Sequence, residues 1–299
     1  MQHQATAHHT PAHLFIQAAF WFILSTLISS MNDAIMRIMG SELHSLEIVW
    51  FRFFFGTLTL LPFMLYIGKA AFKPNGWSVH IIRGTLFYIA IACWCLAITS
   101  EGIRLTLVTA MTFTIPIFIL ILARIFLKEK VTKSRFFAAL LGLSGIVVSF
   151  SDVNLMALAL LVSVIIFAGL DVINKVLVSK ESTFVLIFYS SLVTTVVGAI
   201  PMFFVWEMPS PQELGFLFIL GIGGNFVIYC ILKAFALAPV SALGPFRYIE
   251  FVFSAIFGYV LFNEFPQEET LIGCAIIIPA TLYLGYSESR RSRKMRKAT

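Results

Sequence analysis

The chain has 299 residues, of which 59% are hydrophobic and only 12% charged, and its mean hydropathy is +0.93. Soluble domains carry about 25% charged residues, so a soluble fold is excluded and a polytopic membrane protein is expected. The net charge of +6 does not point to nucleic acid, because six basic residues (Arg290, Arg291, Arg293, Lys294, Arg296, Lys297) lie in one C-terminal tail. Such a tail reads as a cytoplasmic topology anchor near anionic lipid.

In chain order, Met1–His13 holds four histidines, His3, His8, His9 and His13. It reads as a disordered polar tail rather than a metal site, and it lacks the basic n-region and cleavage site of a signal peptide. Ten apolar spans follow, at about 14–38, 46–67, 80–99, 104–127, 134–151, 154–176, 184–205, 214–236, 240–262 and 270–287. A helix needs roughly 20 residues to cross a bilayer, and the runs are continuously apolar rather than alternating, which argues against a β-barrel. With the N-terminus in the cytoplasm, Lys69, Lys73, Lys128, Lys130, Lys133, Arg135, Lys180 and the basic tail fall inside. Glu42, Glu101, Asp152, Glu207, Glu213, Glu264, Glu268 and Glu269 fall outside, with Arg104 the main basic exception. This agreement with the positive-inside rule places both termini in the cytoplasm. The four cysteines, Cys93, Cys95, Cys230 and Cys274, all lie in apolar spans, which suggests no disulfide framework.

Charges within spans are costly, about 2.5–3.5 kcal/mol each on insertion scales, and persist only where they face a partner, a cavity or a substrate. On the first span Asp33 and Arg37 are four apart, and Asp171 and Lys175 repeat that spacing on the sixth. Helix counting puts Asp33 toward the outer face and Asp171 toward the inner one. They read either as interfacial charges reaching water or as gate or pathway charges. Arg52, among Phe51, Phe53, Phe54 and Phe55, lies deeper and requires a partner or a cavity, with Asp33 or Glu47 within reach. Lys233 lies close to a cytoplasmic end, from which it reaches water.

The ninth span carries Gly244–Pro245–Phe246–Arg247–Tyr248–Ile249–Glu250. Gly244 and Pro245 predict a kink or local break. Arg247 and Glu250, three apart, are expected on one helix face near the midplane. Two readings fit them: an internal salt bridge that pins the helix to its neighbours, or a substrate site in which Glu250 takes a cationic group or a proton and Arg247 neutralises it in the empty state or holds a substrate carboxylate. Trp94, Phe113, Tyr229 and Tyr248 are candidate aromatic walls for a cation or a flat ring, or ordinary packing. Asn225, in Gly223–Gly224–Asn225, offers an amide at membrane depth.

The chain repeats itself. Asp33–Ala–Ile–Met–Arg37 recurs as Asp171–Val–Ile–Asn–Lys175 after 138 residues, and Leu127–Lys–Glu129 as Phe262–Asn–Glu264 after 135. Trp94–Cys95 recurs as Tyr229–Cys230. Each unit holds five spans, an odd number, so the second enters the membrane inverted, which is a transporter architecture with its site near the midplane. The expected organisation is an all-α membrane protein of ten transmembrane helices: a tail 1–13, repeats 14–151 and 152–287, and a basic tail 288–299. No nucleotide-binding loop, nucleophile elbow or His-Glu-x-x-His metal pattern occurs in the sequence, so no catalytic residues, cofactor or metal are assigned.

These segments resemble the drug/metabolite transporter superfamily of EamA type. The resemblance rests on the five-plus-five layout and on the Glu before each half's final glycine-containing span (Lys128–Glu129–Lys130, Asn263–Glu264–Phe265). Ser29–Ser30–Met31–Asn32–Asp33, Phe51–Arg52–Phe53–Phe54–Phe55, His80–Ile81–Ile82–Arg83–Gly84, Leu170–Asp171–Val172–Ile173–Asn174–Lys175 and Pro245–Phe246–Arg247–Tyr248–Ile249–Glu250 are similar, within it, to bacterial S-adenosylmethionine uptake transporters. The resemblance implies an inner-membrane secondary transporter that takes up S-adenosylmethionine by alternating access, with S-adenosylhomocysteine as an exchange partner. An exporter of amino acids or related metabolites stands as the alternative, and a non-transporting scaffold or sensor as a remote one. The implied partners are a small-molecule substrate and membrane lipid, without nucleic acid; monomer or dimer stays open. The implied substrate contacts are Glu250, Arg247, Tyr248, Tyr229, Asn225, Trp94 and Phe113, with Asp33, Asp171 and Arg52 along the pathway.

Overall fold

Apolar stretches bounded by capping residues form helices throughout. The computed structural model describes residues 12–74, 76–100, 114–129 and 155–264, with Phe136, Ile272, Ala275 and Pro279 as isolated positions. The described helices are α1 (Ala12–Met39), α2 (Ser45–Ile67), α3 (Trp77–Thr99), α4 (Ile115–Phe126), α5 (Leu155–Leu177), α6 (Thr183–Met202), α7 (Pro211–Leu237), α8 (Val240–Leu243) and α9 (Ile249–Phe262). A 3₁₀ turn, Gly244–Tyr248, joins α8 to α9. Among the described residues there is no strand, and seven helical segments are long and apolar enough to cross a membrane, with α4 a shorter apolar helix. The chain is therefore a multi-pass membrane protein. The expected spans at 134–151 and 270–287, the N-terminal part of the fourth span, and most of both tails lie outside the described residues.

Local sequence sets the helix ends. Ser210–Pro211–Gln212–Glu213 begins α7 with a capping box: the Ser210 hydroxyl accepts from Glu213 N, the Glu213 carboxylate accepts from Ser210 N, and Pro211 occupies the first turn. Ser182 caps α6 in the same manner at Val185 N, and His44 caps α2 through its Nδ1 at Leu46 N. The second half of the expected ninth span is helical as predicted, but Gly244–Tyr248 winds as 3₁₀. Each of these residues turns about 120° instead of about 100°.

Helices from the two halves of the chain interleave. α1 packs on α7 and α9, α2 on α6 and α7, and α3 on α5 and α6. Glycine permits the closest of these approaches. A Cβ on Gly221 of α7 would stand 2.8 Å from Gly56 N and 2.9 Å from Arg52 O of α2, so backbone meets backbone there. The bundle leaves a cavity walled by α1–α7, the 3₁₀ turn and α9.

Candidate functional site

The cavity encloses about 860 Å³ of unfilled space, its open end included. Three carboxylates line it, Asp33, Asp171 and Glu250, and so do three arginines, Arg52, Arg83 and Arg247. Phe87, Trp94 and Phe167 form an aromatic wall, with Trp94 and Phe167 edge-on at 6.1 Å and Phe87 and Phe167 at 6.3 Å.

The arginines are held in different ways. Arg247, on the 3₁₀ turn, donates through Nη2 to Asp171 Oδ2 of α5 at 2.5 Å and lies over the Phe22 ring. Arg83 of α3 donates Nε to Asn174 Oδ1 and Nη1 to Leu186 O, both at 2.7 Å, tying α3 to α5 and α6. Arg52 of α2 is only 7% exposed, and its Nη1 reaches nothing stronger than Met36 Sδ at 3.4 Å. Its Nε has no hydrogen-bond partner, and it forms no ion pair among the described residues with either expected carboxylate.

The carboxylates divide likewise. Asp171 is committed to Arg247. Asp33 Oδ1 accepts from Trp94 Nε1 at 3.0 Å, which fixes the indole against the cavity. Glu250, in the first turn of α9 and 4% exposed, is met by the Ser29 hydroxyl of α1, and its backbone oxygen accepts from Ser30 Oγ at 3.3 Å. Asp33 and Glu250 are close enough to repel, and Arg52 lies near Asp33. Asp33 and Asp171 thus face one cavity, although helix counting assigns them to opposite leaflets. Each sits six residues before the C-terminal end of its helix, from which the side chain turns toward the interior.

Several expected arrangements are corrected. Neither i,i+4 pair forms: Arg37 pairs with Glu264 at 2.6 Å and covers Phe262, while Lys175 donates to Phe235 O and Ala238 O, where it caps the C-terminal end of α7. Arg247 and Glu250 share nearly one face and lie close enough to attract, but the close ion pair of Arg247 is with Asp171 of α5, while the Ser29 hydroxyl of α1 meets Glu250. Asn225 does not line the cavity. Its Nδ2 donates to Gly56 O at 2.7 Å and its Oδ1 accepts from Ser191 Oγ at 3.0 Å, so it ties α7 to α2 and α6. Tyr229 also lies elsewhere, stacked on Phe226 and edge-on to Trp21, with Lys233 Nζ 5.4 Å from its ring. Tyr248 is buried, 2% exposed, and does not line the cavity. Phe113 lies outside the described residues.

Sequence reasoning missed Arg83, Asn174, Ser29, Phe87 and Phe167 as cavity-lining residues. Arg83 and Asn174 carried a signal, being polar groups six residues into α3 and three after Asp171. The two phenylalanines carried none in a chain with 31 of them. Among the described residues no group of three or more His, Cys, Asp and Glu is placed to hold a metal ion.

Comparison with known proteins gives the site a context. The EamA-like transporter family matches residues 16–151 and again 154–286. A Rickettsia prowazekii (strain Madrid E) protein named "S-adenosylmethionine uptake transporter" is 41% identical over 280 residues, covering 92% of this chain and 95% of that protein. A Rickettsia felis protein of the same name is 42% identical over 279 residues, covering 92% and 94%. One solved crystal structure superimposes with a TM-score of 0.73 at 17% identity, covering 94% of this chain and 99% of the other, so the fold is shared.

Proposed function

The chain belongs to the EamA-like transporter family, and from that premise we propose that it takes up S-adenosylmethionine across the inner membrane by alternating access. Membership in a transporter family also means that it is not an enzyme. The arrangement that carries the proposal is the cavity itself, in which a carboxylate pair, Asp33 and Glu250, shares one space with guanidinium groups and an aromatic wall. S-adenosylmethionine presents a sulfonium, an ammonium, a carboxylate and an adenine. The two acids repel each other in the empty cavity, and the cationic groups relieve that repulsion. The adenine stacks along Phe87, Trp94 and Phe167. The relatives named as S-adenosylmethionine uptake transporters match over nearly the whole chain, which supports the same substrate here.

The organisation we propose is ten transmembrane helices in two inverted five-helix repeats, 14–151 and 152–287, with both termini in the cytoplasm. The tandem family match at 16–151 and 154–286 supports the two units. The Arg37–Glu264 pair joins the end of α1 to the residue just beyond α9. In the proposed topology it closes the outer end of the path while the cavity stays in the centre.

The test is uptake of labelled S-adenosylmethionine by proteoliposomes containing the purified protein, with methionine and S-adenosylhomocysteine as competitors. Saturable uptake that S-adenosylhomocysteine inhibits and methionine does not is the expected result. Absence of saturable uptake by folded protein, or stronger competition by amino acids, would replace this substrate with an amino-acid-like metabolite.

A further inference from the structure

We infer that Arg52 is the residue that receives the substrate's carboxylate, and that Gly224 keeps its gripping edge clear. The inference rests on the uptake reading above and assigns one subsite within it.

Two of the three cavity arginines already hold an oxygen acceptor, although Arg247 Nε, like Arg52 Nε, has no partner. Arg247 is held by Asp171, and Arg83 by Asn174 and the Leu186 carbonyl. Arg52 is buried to the same degree, lines the same cavity, and has only a thioether as acceptor, which is a weak one. A buried guanidinium without an oxygen acceptor is unfavourable by itself. An occupant bearing a carboxylate supplies the missing acceptor, and arginine binds that group through two parallel N–H donors. The Asp33 carboxylate does not fill this role, since it forms no ion pair with Arg52 and its Oδ1 is occupied by Trp94.

Gly224 bears on the same edge. A Cβ at this position would stand 2.8 Å from Arg52 Nε and 3.1 Å from Nη2, the two donors of a side-on bidentate grip. Any side chain at 224 therefore displaces the guanidinium or fills the space facing its fork. Gly224 is itself a cavity-lining residue, and its lack of a side chain keeps the space beside the guanidinium free. Asp33 and Glu250 stand nearby for the cationic groups, so an α-amino acid head fits between Arg52 and this acidic pair.

The experiment measures the ratio of inhibition constants for S-adenosylmethionine and its decarboxylated analogue against labelled S-adenosylmethionine uptake. Because the ratio is taken within one protein, differences in folded amount cancel. Wild-type protein is expected to favour the carboxylate-bearing ligand roughly 10–100-fold, the strength of a charge-assisted pair of hydrogen bonds. Arg52→Gln should bring the ratio close to one by weakening S-adenosylmethionine alone, Arg52→Lys should leave part of it, and Gly224→Ala should reduce it with Arg52 still in place. An unchanged ratio in Arg52→Lys and Gly224→Ala would overturn the inference, as would loss of the ratio in Arg247→Gln instead. Failure of the wild-type protein to take up S-adenosylmethionine at all would refute the substrate reading, which is a separate outcome.

Discussion

Arg247 and Asp171 meet at 2.5 Å, joining the 3₁₀ turn before α9 to the inward face of α5. Both side chains are largely buried, at 13% and 8% exposed. Removing one partner of such a pair leaves the other charge uncompensated and costs about 3–5 kcal/mol, whereas removing both is far milder. Asp171→Asn and Arg247→Gln are each expected to lower the melting temperature of the detergent-solubilised protein, and the double variant to recover much of the loss. Equal melting temperatures for wild type and both single variants would show that the pair contributes nothing to stability.

Glu250→Gln should abolish uptake while the protein accumulates normally in the membrane, because Glu250 lines the cavity and forms no close ion pair among the described residues. Asp33→Asn is expected to do the same. The two acids act on one cationic group, so the double variant should be little worse than either single one. The comparison needs initial rates together with the amount of inserted protein; uptake by Glu250→Gln at the wild-type rate would remove this residue from the site.

Asn225→Ala tests the reassignment of that amide from substrate contact to helix tie. It leaves Ser191 Oγ without its acceptor and Gly56 O with only the Thr59 hydroxyl from a side chain, a cost of about 1–3 kcal/mol. The melting temperature should fall and the KM for uptake should stay as in the wild type. A KM raised tenfold at unchanged stability would return Asn225 to the cavity.

The Arg37–Glu264 contact offers a direct test of alternating access. Cysteines at 37 and 264, in a background with Cys93, Cys95, Cys230 and Cys274 replaced, should form a crosslink under oxidation. Uptake should stop on oxidation and return on reduction, because the path cannot open while these positions are joined. Full activity in the crosslinked protein would place the moving parts elsewhere.

The helices were largely legible in the sequence, since their ends depend on residues close by. Ser210–Pro211–Gln212–Glu213 carries the start of α7 in four letters, and the apolar run lengths give the rest. Residue directions were legible only where the helix stayed regular. The 3₁₀ turn shifts the following face by roughly 100° over its five residues; that Arg247 pairs with Asp171 depends on how α5 packs against the turn, which spacing along one span does not contain. Asn225 and Tyr229 were misplaced for another reason. Both sit at membrane depth, but which neighbour α7 shows them depends on how closely Gly221 lets α2 approach, and spacing along one helix does not contain that distance. Arg83 was visible as a polar residue, but its acceptor on α6 is a backbone carbonyl that no side-chain pattern announces.

The balance of three carboxylates and three guanidiniums around the cavity has an electrical consequence. With every lining group ionised, the empty site carries no formal charge, so whatever current accompanies a transport cycle is the ligand's own. S-adenosylmethionine carries one net positive charge and its demethylated product none. On the proposed reading, each inward passage moves one charge down an inside-negative potential, worth about 2.3 kcal/mol per 100 mV, and the return of the neutral product is not opposed. A potassium diffusion potential imposed on proteoliposomes should therefore accelerate uptake when negative inside and slow it when reversed. An extra carboxylate in the wall would make the loaded site neutral and shift the voltage dependence to the return step, without changing the one charge moved per cycle.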